Sequence, residues 1–193
     1  EFRRVLFRSL VVDGFDKIRM GTFLGGNLAT SIKARTKPGG GAVIWGGIRD
    51  IEQIQSIDNF QVYYRGVDPA YINDEMMMAY NLPCRIGDAV CIPGDIVLGT
   101  PQGVIFIPPQ LAEEIAIAGE KTKIRDVFGM ERLEQKIYNG ADIDASVWSK
   151  EIMEDFLQWF KESPEADCFR HLDWEPEIEA SNGVMPGTWT GLA

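Results

Sequence analysis

The stretch "GGGAVIWGGIRDIEQIQSID", residues 39–58, constrains the fold of this chain more than any other segment. Its apolar run between glycines predicts a short buried strand over residues 41–47. Isoleucines at intervals of three then predict a helix over residues 50–57. Arg49 and Asp50 therefore come together where a buried strand ends, and the adjacent glycines leave space beside them.

Alternating strand and helix patterns around this stretch predict an α/β fold. The further predicted strands are "LVVDG" (10–14), "FQVYYRG" (60–66) and a run of short strands with glycine turns over 84–109. The further predicted helices are one opened by a glycine turn within 23–37, with Asn27 as its N-cap, and one over 109–119 that stops at a glycine.

The chain divides into three segments of different character. Residues 1–9 lack an initiator methionine, and "VLFRS" resembles the translation of a common sequencing-library adapter. We therefore treat them as an artefactual scar, and expect the native sequence to begin near Leu10 in mid-strand, with an N-terminal portion missing. Residues 10–119 form the predicted α/β domain. Residues 120–193 contain two amphipathic helical patterns and an acidic, tryptophan-containing end, which predict a helical and irregular C-terminal extension.

The composition argues against several classes of partner. The net charge is −10 and no lysine- or arginine-rich run exists, so we expect no nucleic-acid partner. No apolar run approaches the roughly 20 residues that cross a bilayer, so we expect no membrane partner. Three cysteines without CxxC spacing, and one histidine, are typical of a cytoplasmic protein with reduced thiols rather than of a disulfide framework or zinc site.

Two places could carry chemistry, and the first is the turn "LGGNLATS", residues 24–31. Glycines ahead of a helix expose backbone N–H groups, and the helix dipole adds positive potential there, so such a turn can hold a carboxylate or phosphate. The spacing matches neither the dinucleotide fingerprint nor a P-loop. An ordinary strand-to-helix turn is the alternative interpretation.

The second place is the pair Arg49 and Asp50. A guanidinium grips a carboxylate or an enolate oxygen with parallel hydrogen bonds, and a neighbouring carboxylate can hold Mg²⁺ directly or through water. Such a cation is a Lewis acid that stabilises a developing enolate. The alternative is structural: Asp50 and Gln53 fit a capping box for the following helix, and Arg49 then pairs with a nearby aspartate.

The order of these segments resembles the RraA-like family, named after regulator of ribonuclease activity A. The resemblance covers about residues 10–118 and lies in "VVDG", "GNLA" before a helix, "VIWGGIRD" closing a strand, and "PGDIVLGTPQGVIFIP". The family also contains class II 4-hydroxy-4-methyl-2-oxoglutarate aldolases. It implies a swivelling β/β/α domain that assembles as a homotrimer or a hexameric dimer of trimers, with sites at subunit interfaces.

The resemblance also implies a role for each site residue. The turn Gly25-Gly26-Asn27-Leu28 would offer backbone N–H groups to a substrate carboxylate. Arg49 would bind the 2-oxo acid and steady its enolate, while Asp50 would hold Mg²⁺ or Mn²⁺, largely through water. The implied reaction is retro-aldol cleavage of a 4-hydroxy-2-oxo diacid, or decarboxylation of oxaloacetate, through the pyruvate enolate.

Three departures from the family pattern keep other functions open. The residues "TKPGGG" carry a two-residue insertion, Gln53 stands where an acid is expected, and Thr100 and Gln102 replace both acids of "GDxDGV". Glu52, one residue before the expected acid, is the remaining candidate for a second metal ligand. The alternatives are a non-catalytic regulator that binds a ribonuclease and a different lyase or isomerase acting on sugar acids.

Overall fold

The structure is a computed structural model that describes residues 9–73 and 75–184. The chain forms two compact units, of which the first ends at Ala112 and the second begins at Glu113. Residues 1–8 of the predicted scar lie outside the described residues, whereas Ser9 is the first residue of a strand. No helix of the described residues is long and apolar enough to cross a membrane.

The described residues of the first unit form eight strands and two α-helices in the order expected for an α/β domain. Its strands are β1 (Ser9–Asp13), β2 (Thr22–Leu24), β3 (Gly41–Ile48), β4 (Gln61–Val67), β5 (Cys84–Ile86), β6 (Ala89–Cys91), β7 (Ile96–Thr100) and β8 (Gly103–Ile107), and its helices are α1 (Gly26–Lys33) and α2 (Ile51–Gln55). The predicted strands over 10–14, 41–47 and 60–66 and the run of short strands are confirmed.

The central strand of this unit is β3, which pairs in parallel with β1, β2 and β4. Helices α1 and α2 cover one face of this sheet, and their shared core contains the buried Ala29, Ile44 and Ile54. On β3 and β4, Trp45 lies against Gly87 of the β5–β6 turn and Tyr63 lies against Gly99 of β7. The unit is therefore layered as helices, parallel sheet and antiparallel hairpins.

The predicted bounds of the helix over 109–119 are wrong at both ends. Residues Pro109–Leu111 form a 3₁₀ turn, and α3 then runs over Ala112–Glu134, through Gly119. A glycine inside a helix costs only about 1 kcal/mol relative to alanine, and packing further along the same helix outweighs that cost. The predicted domain boundary after Gly119 consequently falls inside α3.

The second unit is helical, as predicted for the C-terminal extension. After α3 come α4 (Gly140–Ile143), α5 (Lys150–Glu162), a 3₁₀ segment (Pro164–Phe169) and α6 (Glu175–Ser181). Its core is dominated by aromatic rings, with Phe128 and Phe156 completely buried and their centroids 5.3 Å apart in an edge-to-face arrangement. Trp148 and Trp159 from the second predicted amphipathic helix, and Trp174 from the predicted turn-rich end, are all buried in this core.

An ion pair joins α3 to α5 beside this core. Arg132 donates from Nε and Nη2 to the two carboxylate oxygens of Asp155, each at 2.8 Å, and the hydroxyl of Tyr138 donates to Oδ2 at 3.1 Å. These hydrogen bonds, led by those of Arg132, hold the pKa of Asp155 below its ordinary value. Burial, followed by the neighbouring Asp155 charge, raises the pKa of Tyr138 to about 12.

We predict that Asp155→Asn lowers the free energy of unfolding at pH 7 by about 1 kcal/mol, because the charged acceptor is lost. A carboxylate with a depressed pKa stabilises the fold above its unfolded pKa, and this contribution disappears as the pH falls through the folded pKa. The difference between the native chain and the variant should therefore shrink below about pH 4. Urea unfolding followed by tryptophan fluorescence at pH 7 and pH 3 measures the difference in the free energy of unfolding.

The matched control is Glu154→Gln on the same helix, because Glu154 forms an exposed pair with Lys150. That variant should change stability by less than about 0.5 kcal/mol at either pH. An Asp155→Asn effect of equal size at pH 7 and pH 3 would show that the ion pair does not stabilise this unit through its charge.

Candidate active site

Arg49 and Asp50 follow β3 directly and lie where the chain turns sharply into α2. The turn is made by Asp50, whose φ of 57° places it in the left-handed region that short polar residues tolerate better than others. The backbone N–H of Arg49 donates to the carbonyl of Leu24 at 2.9 Å. This bond extends the pairing of β2 and β3 and brings the strand end beside the turn that opens α1.

The Asp50 carboxylate caps a helix other than its own. Its Oδ2 accepts a hydrogen bond from the backbone N–H of Gly26, the first residue of α1, at 3.0 Å. The N-cap residue of α1 is Gly25, which has no side chain to cap it, so the prediction of Asn27 as N-cap is wrong. The capping-box alternative for Asp50 and Gln53 is also wrong, because Asp50 makes no side-chain cap bond to α2.

Arg49 is held from the opposite side by Thr22, a residue that the sequence analysis missed. Its Nη1 donates to the Thr22 carbonyl at 2.9 Å, and its Nε lies 3.7 Å from Asp50 Oδ2. Thr22 is completely buried, and its hydroxyl donates to the carbonyl of Ala70. A threonine at the start of a short strand carries no sequence signal for this role, since the contact depends on two distant segments.

Gly25 and Gly26 are required in this turn because neighbouring side chains approach their backbone closely. A Cβ at Gly25 would lie 2.8 Å from both Arg49 Cζ and Asp50 Oδ2, and a Cβ at Gly26 would lie 2.0 Å from Gln53 Oε1. Such contacts are shorter than side chains tolerate, so any other residue would displace the neighbouring side chains. The side chains of Arg49, Asp50 and Gln53 thus pack directly onto the backbone of the turn.

The first turn of α1 supplies hydrogen-bond donors next to this pair. Asn27 and Leu28 are exposed, and at helix positions two and three their N–H groups have no acceptor within the helix. Together with the dipole of α1, these groups favour an anion. The structure therefore brings Gly25, Gly26, Arg49 and Asp50 into contact and places Asn27 and Leu28 on the adjoining helical turn.

Among the described residues, few acidic side chains lie where they could bind a metal together with Asp50. Glu52 is exposed on α2, and it is the neighbouring Gln53 that lies against Gly26. Within residues 9–73 and 75–184, no group of three or more His, Cys, Asp or Glu side chains is arranged to hold a metal ion. Thr100 ends β7 and Gln102 lies in the turn to β8, where the Gln102 N–H donates to Thr100 Oγ1 at 3.2 Å. The predicted role of Glu52 stays a prediction.

A comparison with models of protein families shows which family this domain belongs to. The model of the RraA-like family, described as Aldolase/RraA, matches residues 7–106. The chain belongs to the RraA-like family. Its predicted fold class is thereby confirmed, with the RraA-like domain followed by a helical C-terminal region.

Individual relatives match part of the chain. A curated protein of Halalkalibacterium halodurans, named as a candidate 4-hydroxy-4-methyl-2-oxoglutarate aldolase, is 30% identical over 93 residues, which are 48% of this chain and 44% of that protein. This chain therefore spans less than half of that relative.

Two solved structures share the fold. RraAS2 of Streptomyces coelicolor, described as an unusual member of the RNase ES inhibitor RraA protein family, has a TM-score of 0.57 and 25% identity, over 64% of this chain and 62% of its own. A structure described as novel cellulases from gut-associated microbes has a TM-score of 0.54 and 30% identity, over 60% of this chain and 50% of its own.

We predict that Gly25→Ala destabilises the first unit by about 1–3 kcal/mol, because the added methyl group displaces Arg49 and Asp50. Thermal unfolding followed by circular dichroism measures the change. Gly119→Ala is the matched control: a Cβ there meets nothing within 4 Å, and alanine is a better helix former. Equal stability of Gly25→Ala and the native chain would contradict the close packing described for this turn.

Proposed function

We propose that this protein is a divalent-metal-dependent lyase acting on a small 2-oxo acid. The reaction would be retro-aldol cleavage of a 4-hydroxy-2-oxo diacid or decarboxylation of oxaloacetate, each through the pyruvate enolate. One observation carries the proposal: the Arg49 guanidinium and the Asp50 carboxylate meet at the N-terminus of α1, with Asp50 hydrogen-bonded to Gly26. The name of the curated relative, a candidate aldolase, supports it.

The site suits a 2-oxo acid because it combines two kinds of donor. The free N–H groups of Asn27 and Leu28 can bind the substrate carboxylate at the helix N-terminus. Arg49 uses Nη1 to hold the Thr22 carbonyl, which fixes the plane of the guanidinium. Its remaining N–H donors can bind the 2-oxo oxygen, and they stabilise that oxygen more strongly when it becomes the enolate, which is how such a group accelerates the reaction.

Asp50 fits a cation that keeps most of its water. One carboxylate oxygen accepts the Gly26 N–H, and a single carboxylate matches the way in which Mg²⁺ binds through one or two carboxylates plus water and substrate. In our proposal Asp50 holds Mg²⁺ or Mn²⁺, and Glu52 is the candidate for a second, more distant contact. The bound metal would supply Lewis-acid stabilisation of the enolate oxygen.

We further propose a homotrimer, or a hexameric dimer of trimers, in the cytoplasm. This proposal rests on membership of the RraA-like family and on the composition of the chain. Light scattering of the purified chain at several concentrations measures the assembly, and a monomer at all of them would contradict it.

We expect the chain to release pyruvate from oxaloacetate in the presence of Mn²⁺, measured by coupled reduction with lactate dehydrogenase. Asp50→Asn should lower kcat/KM by about 100-fold or more, since it removes the charged metal ligand while keeping the side-chain oxygen that accepts the Gly26 N–H. Glu154→Gln, an exposed carboxylate of α5, should leave the rate unchanged. Metal-independent release, or equal rates for both variants, would contradict the proposed site.

The alternative function is a non-catalytic regulator that binds a ribonuclease. It is favoured by the neutral Gln53, Thr100 and Gln102, by the absence of an acidic cluster among the described residues, and by the described function of the RraAS2 family.

A ligand that resembles the enolate separates the two functions. We expect oxalate with Mn²⁺ to raise the melting temperature of the native chain, because a ligand that binds only the folded state stabilises it. Arg49→Gln should abolish that rise. An unchanged melting temperature in the native chain, together with no pyruvate release, would favour the regulator.

A further inference from the structure

The short hairpin formed by β5 and β6 places two of the three cysteines opposite each other. The register pairs Cys84 with Cys91, Arg85 with Val90 and Ile86 with Ala89. Gly87 in the two-residue turn has a φ of 63°, which glycine adopts without strain, and this turn determines the register. Opposite residues of an antiparallel pair point to the same face, so both thiols lie on one side of the hairpin.

The distance between the Cα atoms of such a pair matches the distance that a disulfide spans. Directly opposite residues of an antiparallel ladder have Cα atoms about 4.5 or 5.5 Å apart, and disulfides span about 4.4–6.8 Å between Cα atoms. All three cysteines are free thiols in this structure. Cys84 and Cys91 are direct partners in the register, so their side chains lie next to each other on one face of the hairpin. A bond between them therefore requires no rearrangement of the backbone.

The surroundings of the pair differ between its two members. Cys91 is buried, whereas Cys84 is partly accessible at the start of β5. Burial raises the pKa of Cys91 to about 11 and also raises the pKa of Cys84. The carboxylates that face them, Asp95 beside Cys91 and Asp13 beside Cys84, act in the same direction. The pair is consequently thiol at neutral pH, and Cys84 is the accessible point of attack.

We propose that Cys84 and Cys91 form a reversible intramolecular disulfide, which makes this hairpin a redox-sensitive modification site. A small-molecule disulfide, such as oxidised glutathione, is the oxidant. The Cys84 thiolate attacks one of its sulfurs, which forms a mixed disulfide and releases one thiol. The Cys91 thiolate then attacks Cys84 Sγ, which forms the protein disulfide and releases the second thiol. Two cysteines lose two electrons and two protons, and the small disulfide gains them.

The hairpin connects this chemistry to the sheet that carries the site. Gly87 lies against the ring of Trp45 on β3, with a Cβ position only 3.1 Å from the ring, and β3 continues to Arg49. A cross-strand bond at the open end of the hairpin, opposite its turn, would hold both strands in the register that this packing needs.

The test uses the full chain with Cys168→Ser, because Cys168 is exposed and would form its own adducts. We expect incubation with oxidised glutathione under native conditions to give a product lighter by two hydrogen atoms, with no retained glutathione. Peptide mapping without reductant should join Cys84 to Cys91, and dithiothreitol should reverse the change. The rate should rise about tenfold per pH unit between pH 7 and pH 9, as the thiolate fraction rises.

The control is the double variant Cys84→Ser with Cys168→Ser, in which the intramolecular product cannot form. It should retain glutathione on Cys91 or remain unmodified, and its mass should never fall. Accumulation of stable glutathione adducts on the Cys84–Cys91 pair would overturn the proposal. Formation of the disulfide only after urea unfolding would overturn it equally, because the native register would then not bring the thiols together.

Discussion

The hydrogen bond between the Gly26 N–H and Asp50 Oδ2 is the interaction on which the arrangement of the site depends. It joins the start of α1 to the end of β3 and satisfies a helix donor that Gly25 cannot satisfy with a side chain. Because the acceptor is a charged carboxylate at the positive end of a helix, the bond is stronger than one between neutral groups. It therefore holds the Asp50 carboxylate in place beside the first turn of α1.

The remaining contacts of the site follow from this bond. Asp50 can approach the turn only because Gly25 has no Cβ, and the same space admits the guanidinium of Arg49. Arg49 is oriented in turn by the buried Thr22 carbonyl on one of its nitrogens and by the Asp50 carboxylate near another. A site built in this way presents a fixed cation and a fixed anion beside helix N–H groups, and our proposal of a small 2-oxo acid as substrate rests on that arrangement.

The helical unit after Ala112 is stabilised by a different interaction, the packing of aromatic rings. Phe128 of α3 contacts Trp148, Phe156 and Trp159 with centroid distances of 5.3–5.5 Å. This explains why α3 continues through Gly119, where the sequence pattern predicted a stop. Burial of large rings further along the helix contributes several times the cost of one helical glycine. The core of this unit is thus separate from the aliphatic core of the first.

The sequence by itself determined most strands and helices of the first unit, though not β2, and the two segments that form the site, because periodicity, glycine turns and charged residues after a strand are local signals. It also carried enough pattern to indicate the family. The tertiary structure alone decided that Asp50 caps α1 instead of α2 and that Thr22 holds Arg49. Each of these contacts joins residues whose proximity is determined by chain folding and strand register, which no local pattern encodes.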